Sequence, residues 1–139
     1  MSDNIIQKSI YLKASPQQVW SFLTEPDKLA LWFHRPSAPL LQGNVFEMHG
    51  SESGKRLIWG KVTVARAPEY LEYTFTVEPM GDSESLAQWE LTPVAGGTRL
   101  SLVHRGLPQT AEAFSLLLSL DAGWEEHMGR MRSLLHESG

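Results

Sequence analysis

The sequence predicts an α+β domain in which a curved antiparallel sheet of about six strands wraps around a long C-terminal helix, with two short helices after the first strand. Three observations predict it. Ser15-Pro16 and Pro26 each open a short run whose apolar residues fall at helical spacing. Between Val45 and Arg105 apolar and polar residues alternate in segments separated by Gly- and Pro-containing turns. From Leu117 to Leu135 the apolar residues recur at gaps of three and four.

The elements follow in order. Ile6, Lys8, Ile10 and Leu12 alternate with Gln7, Ser9 and Tyr11, giving a first strand over Ile6–Leu12. Ser15 is an N-cap and Pro16 a first helical residue, where a missing N–H costs nothing. Val19, Trp20, Phe22 and Leu23 form the apolar face of that helix, and Leu29, Trp32 and Phe33 that of the next. Strands are expected over Val45–His49, Arg56–Ala65, Tyr70–Glu78, Ser85–Thr92 and Thr98–Arg105. Their turns fall at Gly50–Gly54, Ala67-Pro68, Pro79–Asp82 and Pro93–Gly97, short enough to make an antiparallel meander. The last stripe comprises Leu117, Leu120, Trp124, Met128, Met131 and Leu135, with Asp121, Glu125, Glu126, Arg130 and Arg132 mostly off it. A continuous helix over Ala111–His136 would run roughly 39 Å at about 1.5 Å per residue. That is long for the domain, so a bend or break is expected near Asp121-Ala122-Gly123. This helix is the only element long enough to cover the sheet, and the two short helices close one end.

Composition narrows the function. The 139 residues suit one domain over 1–139, and 42% hydrophobic with 20% charged residues is ordinary for a globular protein. The net charge is −4, from 12 basic and 16 acidic residues, and no basic stripe is present, which argues against nucleic acid as a partner. With no cysteine there is no disulfide, thiolate chemistry or Cys-based zinc site. Lys8 soon follows the two-residue apolar run Ile5-Ile6, and AFSLLLSL is shorter than the roughly 20 residues of a membrane span. A cytoplasmic protein with no membrane span is expected. GSESG at Gly50–Gly54 carries Glu52 where a nucleophile elbow needs serine, and it lies between strands, so it reads as a hairpin loop. Gly96-Gly97 opens no helix and is a turn rather than a phosphate cradle. The histidines at 34, 49, 104, 127 and 136 show no HExxH or other close ligand spacing. No metal, no cofactor and no catalytic residue is assigned.

Strand phase selects the inward residues: Phe46 and Met48; Leu71, Tyr73 and Phe75; Ala87, Trp89 and Leu91; Leu100, Leu102 and His104. Glu47 and His49 fall outward. Most of the inward set reads as core. Tyr73 and His104 are the polar exceptions, and a few placed polar groups in an apolar pocket fix a ligand's orientation. His104 is either a ligand partner or general base, or a histidine satisfied within the fold.

ASPQQVW at Ala14–Trp20, LTEPDKLALWF at Leu23–Phe33 and GKVTVARAPEYLEYTF at Gly60–Phe75 resemble the START-like, Bet v 1-like (SRPBCC) superfamily. WELTPVAGGTRLSLVHRGL at Trp89–Leu107 and Gly123-Trp124 extend the likeness. Within the superfamily the chain is similar to the family named for the activator of Hsp90 ATPase. The resemblance implies a helix-grip fold with a hydrophobic cavity between the sheet and the long helix, open near the small helices. Trp20 then reads as packing, whereas Trp32 and Phe33 stand either in the core or at the cavity mouth, before the HRPSAPL loop. Trp124 either fills the cavity or floors it, and Met128 and Met131 offer adaptable surface. The expected ligand-binding set is Trp32, Phe33, Phe46, Met48, Tyr73, Phe75, Trp89, Leu102, His104, Trp124 and Met128. Binding of a small hydrophobic or aromatic molecule is favoured. The alternatives are an enzyme acting on an apolar polyketide-like substrate, with His104 and Tyr73 as acid and base, and a module stimulating an Hsp90-type chaperone.

Overall fold

The computed structural model of the protein describes residues 4–49, 54–77, 80, 83–108 and 110–137. Strand β1 (Asn4–Leu12) is followed by helices α1 (Pro16–Thr24) and α2 (Pro26–Trp32). Then come β2 (Val45–His49), β3 (Arg56–Arg66), β4 (Tyr70–Val77), β5 (Ser85–Val94) and β6 (Gly97–Leu107). A 3-10 turn (Ala111–Ala113) leads into α3 (Phe114–Glu137). The six strands form one antiparallel sheet in the order β1-β6-β5-β4-β3-β2, a meander closed on one side by the first strand. The sheet curves around α3, giving the helix-grip arrangement.

Local chemistry explains each boundary. At α1 the Ser15 hydroxyl accepts from the Gln18 N–H at 3.2 Å, and the Gln18 side chain accepts from the Ser15 N–H at 3.0 Å, a reciprocal capping box. The Trp32 indole donates to the Phe22 carbonyl at 2.7 Å and so ties the end of α2 to α1. The loop after α2 is pinned to β2, since the Ser37 N–H donates to the Glu47 carbonyl and the Ser37 hydroxyl accepts from the Glu47 N–H.

The inward residues expected from strand phase are all buried, from Phe46 and Met48 through Leu102 and His104. Lys8 shares a face with buried Ile6 and Leu12, yet its ammonium reaches Asp121 of α3 at 3.0 Å. A charge on the inner face of an edge strand thus finds its partner on the covering helix.

Two expectations are corrected. The break near Asp121-Ala122-Gly123 does not occur: α3 runs unbroken over 24 residues. A helical glycine costs only about 1 kcal/mol against alanine, and the packing of Trp124, Met128, Met131 and Leu135 outweighs it. The turn at Pro93–Gly97 shortens to Ala95-Gly96, because β5 continues through Pro93 and Val94. The Leu91 N–H meets the Glu69 carbonyl just before β4, and Pro93, two residues on, faces the same side past the last β4 pairing at Tyr70. Its missing N–H therefore breaks no ladder bond. The turns at Gly50–Gly54 and Pro79–Asp82, and the strand end at Glu78, lie outside the described residues apart from Gly54 and Met80.

One chain of hydrogen bonds fastens α3 to the sheet. The Trp124 Nε1–H donates to His104 Nδ1 at 2.9 Å. With Nδ1 accepting, the neutral ring carries its proton on Nε2, which lies 2.7 Å from the Ser85 hydroxyl. That hydroxyl donates to the Phe75 carbonyl at 2.6 Å. Every polar atom of this buried chain is paired, as burial requires. Burial pushes the His104 imidazole down to about 4.

Two predictions follow from the packing. At Gly60 a Cβ would lie 1.9 Å from the Thr74 carbonyl oxygen on β4. Gly60→Ala is expected to cost about 1–3 kcal/mol or more in urea denaturation, and an unchanged midpoint would contradict this close approach. The unfolded chain binds a proton at His104 near pH 6.5, while the folded chain resists it to about 4. The stability from this difference is full above pH 6.5 and is lost as pH falls toward 4, by roughly 3 kcal/mol. Imidazole NMR titration checks it: a His104 midpoint near 6.5 would contradict the buried chain.

Candidate functional site

Helix α3 divides into two halves. From Trp124 onward it seats Trp124, Met128, Met131 and Leu135 in the core. Before that, none of residues 113–123 is buried, although they include FSLLLSL. Leu117 and Leu120 only rest against the core edge, and Phe114 and Leu118 are 54% and 56% exposed. The apolar composition of this half therefore exceeds what the fold covers.

Beneath it lies a cavity of about 390 Å³, within the range of roughly 300–1,000 Å³ seen for small-molecule sites. Leu116, Ser119, Leu120, Gly123, Trp124 and His127 of α3 form one wall. Arg56, Leu57 and Ile58 of β3 with Phe75 and Val77 of β4 form the other, and Phe33 and His34 close the end next to α2. Gly123 leaves space here, since a Cβ built on it meets nothing within 4 Å.

The aromatic residues define the inner boundary. Phe33 stacks on Trp32 at 5.4 Å and on Trp124 at 5.1 Å between ring centroids. Trp89 meets Trp32 edge-on at 6.1 Å and Trp124 at 5.4 Å. Three indoles thus fill the centre of the space between sheet and helix, and the open volume is what remains beyond Trp124.

Of the residues expected to bind a ligand, the structure brings Phe33, Phe75 and Trp124 to the cavity wall. Trp32, Phe46, Met48, Tyr73, Trp89, Leu102, His104 and Met128 are buried in the packed core and do not line it. The two inward polar groups are engaged by indoles. Trp89 Nε1 donates to the Tyr73 hydroxyl at 3.0 Å, as Trp124 Nε1 does to His104. Burial pushes the Tyr73 phenol above its ordinary range.

Sequence reasoning missed His34 and His127. Their signals were present: His34 directly follows Trp32-Phe33, and His127 lies three residues after Trp124, on the same helical face. Both rings flank Phe33, at 4.8 and 4.9 Å between centroids, and they lie 5.6 Å from each other. His127 Nδ1 is 3.0 Å from the Trp32 carbonyl, which can only accept, so Nδ1 carries the proton and Nε2 a lone pair. Burial first, then the charge of the other ring and of Arg130, lowers His34; burial chiefly lowers His127. Among the described residues no group of three or more His, Asp or Glu side chains is arranged to hold a metal ion. No described helix is long and apolar enough to cross a membrane.

Comparisons with known proteins place the fold. No curated protein matches the sequence significantly. Among solved structures, MLL2253 from Mesorhizobium loti is 20% identical with a TM-score of 0.85, over 97% of this chain and 98% of that one. An HSP90 activator from Plasmodium falciparum, PFC0360w, is 17% identical with a TM-score of 0.80, over 95% and 96%. DynU16, a protein in the dynemicin biosynthetic locus, is 23% identical with a TM-score of 0.82 over 97% of this chain. This chain covers only 48% of DynU16, about half its length. At these identities the likeness is one of fold. The sequence itself matches a family profile over residues 13–136, nearly its whole length, and the chain belongs to the family of Activator of Hsp90 ATPase homolog 1-like proteins.

Proposed function

We propose that the protein binds a small hydrophobic or aromatic molecule in the cavity beneath the first half of α3, for transport, sensing or sequestration. The observation that carries this reading is the unburied apolar half-helix standing over an open space. Leu116 and Leu120 face Phe33 and Phe75 across a volume that no described side chain fills. An apolar ligand there would remove surface from water on both walls, at about 25 cal/mol per Å².

A second reading is a module acting on an Hsp90-type chaperone. The match of PFC0360w over nearly both chains favours it. Exposed Phe114 and Leu118 would then serve a protein surface rather than a ligand. Measuring the chaperone's ATPase rate with this protein at saturation decides; no stimulation removes the reading.

Gly123 supplies the test of the first reading. Gly123→Leu places a side chain in the cavity without meeting another atom at its Cβ. Replacing a helical glycine should also raise stability, by up to about 1 kcal/mol. Titration with the apolar dye N-phenyl-1-naphthylamine should therefore give binding to the wild type and at least about tenfold weaker binding to the variant. Equal binding by both proteins would remove the cavity from the account.

A further inference from the structure

The polar groups of the cavity share one electrostatic character. Among the described residues they are the imidazoles of His34 and His127 and the Ser119 hydroxyl. Arg56 also belongs to the wall, but its guanidinium lies over the Trp59 ring at 3.9 Å, and no described carboxylate lines the cavity. On α3, Arg130 acts on both rings, and Glu126 acts on His127 while pairing with Arg130 at 3.5 Å. On the sheet side, Arg56 meets Glu47 of β2 at 3.1 Å, and His49 lies 3.7 Å from the same carboxylate. Both acids lie outside the cavity lining.

The two histidines are also unfinished in a way His104 is not. His104 has a partner on each nitrogen, whereas His127 uses Nδ1 on the Trp32 carbonyl and its Nε2 has no protein partner among the described residues. An apolar wall that ends in two neutral imidazoles is suited to a ligand with a matching end. We infer that the cavity takes an apolar molecule carrying one anionic head group, of carboxylate, sulfonate or phenolate type, seated against His34 and His127. This rests on the ligand-binding reading and specifies its chemistry. An anion beside the rings favours their protonated form, so binding draws a proton from solvent onto an imidazole, and affinity rises as pH falls.

Two dyes with the same ring body separate the possibilities. 8-Anilinonaphthalene-1-sulfonate stays ionised throughout, so any pH response belongs to the protein; N-phenyl-1-naphthylamine lacks the sulfonate. Fluorescence titration at about pH 5.5 should show the sulfonate preferred by at least about tenfold, the preference shrinking toward pH 8. In the double variant His34→Phe, His127→Asn the Asn amide keeps a donor for the Trp32 carbonyl and Phe keeps the ring contact. Its preference at pH 5.5 should fall below about threefold, with an unchanged circular dichroism spectrum as the control for folding. Equal affinity of both dyes for the wild type, or a preference independent of pH and of the histidines, overturns the anionic head and leaves the ligand-binding reading standing. Failure of both dyes to bind overturns both.

Discussion

A histidine and a tyrosine on the inner face of a sheet need partners that water cannot supply. In this protein indoles supply them. Tyr73 receives the Trp89 N–H within the sheet, and His104 receives the Trp124 N–H across the gap from α3. The second bond is directional and buried, so it fixes where along the sheet the helix lies and which way it is turned. An indole shifted by one helical position would leave the His104 lone pair unpaired, a cost of about 1–3 kcal/mol.

The remaining arrangement depends on that anchor. With Trp124 in place, Trp89 packs edge-on against it and Phe33 stacks on its other side. Phe33 in turn sets the end of α2, which Trp32 holds from within through the Phe22 carbonyl. The open volume is a product of the same arrangement. Indoles occupy the middle, while α3 beyond Trp124 toward its N-terminus has only partly buried leucines to set against the sheet. A cavity therefore forms at the end where packing stops, bordered by the two rings that flank Phe33.

Much of the fold was readable in the sequence because its determinants are local and periodic. Pro16 and Pro26 mark helix starts by their fixed φ, and strand alternation sorted Phe46 from Glu47 and Tyr73 from Glu72. The site was less readable. Periodicity shows that Trp89 and His104 point inward, but it is silent on whether the interior there is full. Filling depends on which side chains from distant elements reach the same space, and three tryptophans from α2, β5 and α3 converge there. His34 and His127 escaped for the complementary reason. Neither lies in a strand phase that marks it as inward, and their proximity arises only once α2 has docked beside α3. The expected break at Asp121-Ala122-Gly123 overweighted a local cost against packing that the stripe had already disclosed.

The division of α3 at Trp124 has a consequence for divergence. The anchored half carries the side chains whose loss would open holes in the core, so its sequence is bound to the fold. The half over residues 114–120 buries none of its side chains, and exchanges there leave the core intact. Pocket shape and chemistry can therefore drift on one end of a single helix while the other end holds the architecture constant. A lineage can reshape this cavity without first solving the folding problem again.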